Sequence, residues 1–87
     1  MDLPEITDDV RAFVKAKFDI DDADGSFNDD VHLFDYGYVD SFGAVEMIAY
    51  SEKKYAIQIS NDDLVVNPLN TIREISAFIH RRLSERR

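Results

Sequence analysis

Apolar residues in the first eighteen positions recur at the three- and four-residue intervals that place side chains on one face of a helix. These residues are Ile6, Val10, Phe13, Val14 and Phe18. Pro4 stands near the start of the segment, where a first turn tolerates proline because the missing amide has no intrahelical acceptor. The pattern predicts a first helix that buries one face.

The periodicity disappears between Asp19 and Asp40. This segment contains eight Asp, two Gly, Ser26 and Asn28, and neither Lys nor Arg. It predicts a long solvated loop, of a length that in compact domains is usually functional or mobile. Six apolar residues are expected to hold the loop to the core: Phe27, Val31, Leu33, Phe34, Tyr36 and Val39.

Helical spacing resumes after Ser41 and predicts a second helix that ends near Ala56. Its apolar positions are Phe42, Val45, Ile48, Ala49 and Tyr55, with Met47 offset from them. The following YAIQIS stretch alternates like a short strand, but a lone strand has no partner in this chain. We therefore expect it to leave the helix and turn Ile57 and Ile59 inward.

Two more helices are predicted in the last third of the chain. Leu64, Val65 and Val66 indicate one short helical turn, which Asn67-Pro68 ends. Thr71 followed by Glu74 three residues later has the pattern of a capping box. It opens a helix with apolar residues Ile72, Ile75, Phe78, Ile79 and Leu83. The predicted fold is all-α: a small bundle of three main helices and one short helix, with a long loop between helices one and two.

The chain has 87 residues, of which 45% are hydrophobic, so we expect a single globular domain over residues 1–87. A chain of this size buries only somewhat more than ~60% of its unfolded surface, which leaves no room for a separate substrate domain. The sequence contains no Cys, which excludes disulfides and thiolate chemistry. The acidic amino terminus has no continuous apolar run, so we expect a cytoplasmic protein without membrane insertion.

Charge is unevenly distributed. Residues 1–79 contain 17 Asp/Glu and 6 Lys/Arg, a net charge of −11, whereas residues 80–87 contain 4 Arg and 1 Glu, a net of +3. The acidic body is expected to repel nucleic acid and to attract partners with basic faces. The basic end is interpreted as the solvated, frayed end of the last helix, where positive charge is favourable, and not as an RNA-binding tail.

The sequence offers little support for catalysis. His32 and His80 are far apart, and neither has a second ligand at the spacing of a metal site. Ser41 can be combined with a histidine and an Asp as a triad only if an 87-residue helical core also supplies an oxyanion hole and a substrate cleft. We therefore do not expect an enzyme.

The acidic loop partly matches a calcium-binding loop. Asp22, Asp24 and Gly25 fit the third, fifth and sixth positions of an EF-hand, but Ile20 and Val31 occupy the first and last positions. The bidentate carboxylate that closes such a loop is absent. No tight calcium site, and no other metal site, is expected.

Ser41 allows two interpretations. Asp40 or Ser41 can be the N-cap of the second helix, a role worth about 1 kcal/mol. Alternatively, a hydroxyl at a helix N-terminus can carry a phosphoester, whose negative charge the unpaired amides and the dipole stabilise. The position of Ser41 does not distinguish the two.

The sequence DSFGAVEMI, from Asp40 to Ile48, resembles the attachment motif of acyl and peptidyl carrier proteins. The resemblance extends over most of the chain, including the long loop and the short third helix. It implies that Ser41 carries 4′-phosphopantetheine derived from coenzyme A, and that Asp40 helps the phosphopantetheinyl transferase engage the site. It also implies that Glu46 and Glu52 meet basic patches of partner enzymes.

The sequence departs from fatty-acid carriers in two places. Lys53 and Lys54 interrupt the acidic face of the second helix, and Gly43 makes the motif DSFG similar to that of D-alanyl carrier proteins. The resemblance implies a stand-alone, monomeric carrier that holds an acyl or aminoacyl group as a thioester, in fatty acid, polyketide or nonribosomal peptide biosynthesis. The alternatives are an aminoacyl carrier of the D-alanyl type or another specialised carrier, and a helical interaction module in which Ser41 is only a cap.

The resemblance also implies the partners and their contacts. They are the transferase, a ligase that loads the acyl or aminoacyl group, and downstream synthases or transferases. The residues expected to contact them are Phe42, Glu46, Met47, Glu52, Lys53 and Lys54. The walls expected for an acyl-chain pocket are Val45, Ile48, Ile59, Leu64 and Ile72.

Overall fold

The computed structural model describes residues 1–85, which form four α-helices and no strand. The helices are α1 (Leu3–Lys17), α2 (Ser41–Tyr55), α3 (Asn61–Val66) and α4 (Ile72–Ser84). This arrangement confirms the predicted all-α bundle of three main helices and one short one. None of these helices is long and apolar enough to span a membrane.

Helix α1 begins with a capping box formed by Asp2 and Glu5, which was not predicted. The Asp2 carboxylate accepts the Glu5 amide at 3.0 Å, and the Glu5 carboxylate accepts the Asp2 amide at 3.3 Å. From this start, the helix turns Ile6, Val10 and Val14 into the core. There α1 packs mainly against α4, which contributes the buried residues Ile72, Ile75, Ser76, Phe78 and Ile79.

The long loop between α1 and α2 is ordered by its own side chains. The side chains of Asp21, Asp24 and Asn28 each accept the amide two residues further along, at 2.8–2.9 Å. Such local turns explain how a segment rich in Asp and Asn can adopt one conformation without helix or strand. Arg11 on α1 fastens the loop by donating to both carboxylate oxygens of Asp29, at 2.8 and 2.7 Å.

Five of the six apolar loop residues reach the core as predicted. The buried residues are Val31, Leu33 and Val39, and the partly buried residues are Phe27 and Phe34. The prediction for Tyr36 was wrong, because 67% of its surface is exposed. Tyr36 lies in a turn that reverses the chain at Gly37, which has a positive φ of 78°.

The connection from α2 to α3 follows the prediction. Helix α2 ends where Ala56 adopts the left-handed conformation, and the chain then turns Ile57 into the core and leaves Ile59 partly buried. The predicted capping box at α4 is only half formed. Thr71 accepts the Glu74 amide at 3.0 Å, but the Glu74 carboxylate accepts the amide of Asn70 and not that of Thr71.

The basic carboxyl end is helical as far as Ser84. Arg81 and Arg82 therefore belong to the last turn of α4, where their charge complements the helix dipole. Arg86 and Arg87, which the prediction of a frayed end also included, lie outside the described residues.

Candidate functional site

Ser41 is the first residue of α2, and Asp40 is the N-cap. The Asp40 carboxylate accepts the Gly43 amide at 2.8 Å, and its carbonyl accepts the Ala44 amide at 2.9 Å. The Ser41 hydroxyl is exposed and makes no hydrogen bond to the described part of the chain. Of the two residues that the capping interpretation named, Asp40 is the N-cap and Ser41 is not.

The start of α2 favours a negative charge beside Ser41. The amides of Ser41 and Phe42 belong to the first turn, where a helix has no acceptor for them. The helix dipole adds partial positive charge at the same end. An exposed hydroxyl at this place fits a phosphoester, because the ester oxygens receive stabilisation that an interior helical serine lacks.

Gly43 allows α2 to begin close to the end of α1. A Cβ atom at this position would lie 2.6 Å from a ring carbon of Phe18 and 3.0 Å from a methyl carbon of Val39. Real Cβ atoms essentially never approach another heavy atom that closely. A larger residue at this position would therefore require Phe18, Val39 or the start of α2 to shift.

A cavity of about 420 Å³, partly open to solvent, lies between α2, α3 and α4. The α2 residues in its wall include Ala44 and Ile48, which are three and seven positions after Ser41. Those spacings place Ala44 and Ile48 on the same face of the helix as Ser41. The full lining is Phe34, Ala44, Met47, Ile48, Ser51, Ile59, Leu64, Val65, Pro68, Leu69, Asn70, Ile75, Phe78 and Ile79.

Three of the five residues expected to form an acyl-chain pocket line this cavity: Ile48, Ile59 and Leu64. Val45 does not, since 65% of its surface is exposed on the outside of α2. Ile72 is completely buried but lies outside the lining. Helical spacing identifies apolar positions such as Phe78 without distinguishing a packed core from a cavity wall. Phe34 lies in the loop, where no helical spacing applies, so its place in the wall was missed as well.

The two glutamates expected to contact partners are engaged within the protein. Glu46 forms an ion pair with Lys17 on α1 at 2.6 Å. The Glu52 carboxylate accepts the Ile59 amide at 2.9 Å and so fixes the segment that leaves α2. The acidic face that the resemblance implies is therefore partly neutralised or used for structure.

The other expected contact residues differ in accessibility. Phe42 is 75% exposed beside Ser41, and Lys53 is exposed further along α2. Met47 is only 5% exposed and lines the cavity, so in this structure it is a core residue and is not accessible to a partner. Lys54 forms an ion pair with Asp9 at 3.3 Å.

Asp9 is the centre of a polar cluster that joins α1 to α2. Its carboxylate accepts the hydroxyl groups of Tyr50, at 2.9 and 3.0 Å, and of Tyr55, at 2.5 Å. Burial raises the pKa of Asp9, but the hydrogen bonds from Tyr55, Tyr50 and Lys54 outweigh it and hold the pKa below its usual value. The partners are more than 40 residues apart in sequence, so no local pattern predicted this cluster.

Within residues 1–85, neither His32 nor His80 forms a hydrogen bond or an ion pair with Ser41. The His32 Nδ1 atom accepts the Asp35 amide at 3.0 Å, so it completes a turn in the loop. Among residues 1–85, no three His, Cys, Asp or Glu side chains are grouped closely enough to hold a metal ion.

Comparison with known proteins supports one family. A direct comparison with curated proteins finds no match for this chain. The family model described as a phosphopantetheine attachment site matches residues 8–79, a span that includes Ser41, all of α2 and α3, and most of α1 and α4. This chain therefore belongs to the phosphopantetheine attachment site family, in which 4′-phosphopantetheine is covalently bound.

Proposed function

We propose that Ser41 is the attachment residue and that the protein is a stand-alone acyl carrier. The main support is the division of roles at the start of α2. Asp40 caps the helix, which leaves the exposed Ser41 hydroxyl available for a phosphoester. If a serine hydroxyl capped the helix, its modification would disturb the capping hydrogen bond. Modification of Ser41 leaves the capping bond intact, because Asp40 makes it.

The residues around Ser41 hold and orient the arm. The amides of the first turn stabilise the phosphate charge, and Phe18 and Val39 fix the direction of α2 through Gly43. The thiol of the bound group holds an acyl group as a thioester. Since the chain has no Cys, it contributes no competing thiol.

The cavity favours an acyl chain over an aminoacyl group as cargo. Its wall is mostly aliphatic and aromatic, and the hydroxyl of Ser51 in that wall already donates to the Met47 carbonyl at 2.9 Å. An ammonium group placed there has no carboxylate in the lining to pair with. The similarity to D-alanyl carriers rests on Gly43, and packing against Phe18 accounts for that glycine whatever the cargo.

The partners are a phosphopantetheinyl transferase, an enzyme that loads the acyl group, and enzymes that use it. Any of them must contact the surface beside Ser41, where Phe42 is the most exposed large apolar side chain of α2. Lys53 on the same helix is exposed and forms no ion pair within residues 1–85, whereas Lys54, which is also exposed, is paired with Asp9. We therefore retain Phe42 and Lys53 as contact residues.

The attachment is tested by incubating the protein with coenzyme A, magnesium and a broad-specificity transferase, followed by mass spectrometry. We expect one phosphopantetheine on the wild type and none on Ser41→Ala. Ser41→Ala should unfold like the wild type, whereas Asp40→Ala should lose about 0.5–2 kcal/mol because it removes the cap. Modification that persists in Ser41→Ala, or its absence from the wild type with several transferases, would disprove the proposal.

The cargo is tested by attaching either an octanoyl or an alanyl arm and measuring the midpoint of thermal unfolding. An octanoyl chain that enters the cavity stabilises the folded state, so its midpoint should exceed that of the alanyl form. Equal midpoints would argue against an acyl chain in the cavity.

A further inference from the structure

Helix α3 covers one side of the cavity with very little apolar anchoring. Leu64 and Val65 contribute to the cavity lining, yet none of the six residues of α3 is buried. Val65 is 84% exposed, although it is apolar. Apolar burial thus contributes little to the position of this helix.

Polar contacts from the last turn of α4 hold α3 in place. The Arg82 Nη2 atom lies 2.7 Å from the Asp63 Oδ1 atom, and Arg81 Nη2 donates to the Asn67 side-chain oxygen at 2.8 Å. Both arginines belong to the basic carboxyl end, which has no part in the proposed attachment at Ser41. The contacts give that end a structural role on α3.

Arg82 contacts residues of both α4 and α3, two of the helices that border the cavity. Its guanidinium lies 4.9 Å from the ring centroid of Phe78, which lines the cavity from α4. Its ion pair with Asp63 reaches α3. The Asp63 carboxylate also accepts the Ser60 amide at 2.9 Å, and these hydrogen bonds lower its pKa, so it is charged at neutral pH.

We propose that Arg82 is a latch that holds α3 closed over the cavity, and that release of its ion pair with Asp63 lets α3 move away and admits an apolar chain. The latch is a positioning device and not part of the attachment chemistry. The identity of the occupant as an acyl chain rests on the proposed function, but the latch itself is defined by contacts of the unmodified protein.

The strength of the latch is limited, because the two side chains are partly exposed. Ion pairs of this kind change an equilibrium by up to about five-fold and weaken as salt screens them. A latch of this strength keeps α3 mostly closed and still allows frequent opening. Raising the salt concentration should shift α3 towards the open state.

Hydrogen exchange of the unmodified, full-length protein tests the latch. Arg82→Gln should accelerate exchange of the amides of residues 64–67 by about two- to five-fold at low salt, and Arg82→Lys should restore most of the protection. Arg73→Gln is the matched control, since Arg73 also lies on α4 and pairs with an acid, but in the first turn of the helix and with Asp30 of the loop, not with α3. Arg73→Gln should leave the exchange rates of the amides of residues 64–67 unchanged.

A double variant shows whether Asp63 and Arg82 act on the same contact. Asp63→Asn keeps an oxygen for the Ser60 amide and loses the charge, so it should accelerate α3 exchange as Arg82→Gln does. Adding Arg82→Gln to it should produce no further acceleration. Equal exchange of α3 in Arg82→Gln and Arg73→Gln, or equal acceleration in all four helices, would overturn the latch.

Entry into the cavity is measured with Nile red, a neutral apolar dye whose fluorescence rises in apolar surroundings. Its association rate constant should increase about two- to five-fold in Arg82→Gln and at high salt, and stay unchanged in Arg73→Gln. An unchanged rate in Arg82→Gln would mean that α3 does not control entry. Neither measurement uses the arm, so failure of modification at Ser41 leaves both results valid.

Discussion

The Glu46 carboxylate on α2 lies 2.6 Å from the Lys17 ammonium on α1. An acid that the resemblance places in a docking surface is therefore paired with a base from the neighbouring helix. Both side chains remain partly exposed, so a partner meets a nearly neutral pair. The charge presented beside Ser41 thus depends on a residue outside the attachment motif.

Removal of Lys17 should strengthen docking to basic partners. Lys17→Met leaves the Glu46 charge uncompensated, so we expect kcat/KM for a basic phosphopantetheinyl transferase to rise up to a few-fold at low salt, and less at high salt. Adding Glu46→Gln should return the value to that of the wild type. The same kcat/KM for Lys17→Met and wild type at low ionic strength would contradict this expectation.

Lys53 and Lys54 should behave differently, although they are adjacent. Lys54→Glu places a carboxylate beside Asp9, so the midpoint of urea unfolding should fall through like-charge repulsion. Lys53→Glu should leave that midpoint unchanged and alter only the rates with partner enzymes. Comparable destabilisation by the two substitutions would show that the Asp9 ion pair does not distinguish them.

Asp9 should stabilise the fold only while its carboxyl is ionised. Because its pKa is lowered in the folded protein, its contribution is present above the unfolded value of about 3.9 and is lost as the pH falls through the folded value. Asp9→Asn should therefore cost about 1–3 kcal/mol at pH 7, and less at pH 3. Urea unfolding at both pH values measures the difference, and a cost independent of pH would refute the argument.

Gly43 should not tolerate a methyl group. Gly43→Ala places its Cβ against Phe18, and overpacking of this kind costs typically about 1–3 kcal/mol. Gly25→Ala is the matched control, because nothing lies within 4 Å of the Cβ built there. Phe18→Leu should restore part of the loss in Gly43→Ala. Equal unfolding free energies for the two alanine variants would show that the start of α2 can shift freely.

Replacement of Ser76 by alanine should stabilise the folded protein. Its hydroxyl is completely buried and makes no hydrogen bond within residues 1–85, and an unsatisfied buried polar group costs about 1–3 kcal/mol. We expect Ser76→Ala to raise the midpoint of thermal unfolding by about 4–8 °C, the shift that about 1 kcal/mol produces in a domain of this size. Ser51→Ala, which removes a hydroxyl bonded to Met47, should not raise it.

The sequence by itself determined the helical architecture and the candidate attachment residue. Local signals are sufficient for both. Helical spacing of apolar residues predicts α1, α2 and α4, Asn67-Pro68 stops α3, and the motif around Ser41 resembles a family whose model matches residues 8–79. These features depend on neighbours in sequence, so they can be recognised without the folded structure.

Only the tertiary structure decided which side chains are available around that site. The sequence predicts that Glu46 and Met47 contact partner enzymes. In the structure Glu46 is paired with Lys17, and Met47 is buried in the bundle. The sequence predicts that Arg82 belongs to a solvated basic end, whereas in the structure it forms an ion pair with Asp63. The two ion pairs join residues far apart in the chain, and the burial of Met47 depends on the helices that pack against α2. Periodicity within one helix carries no information about the helix that packs against it.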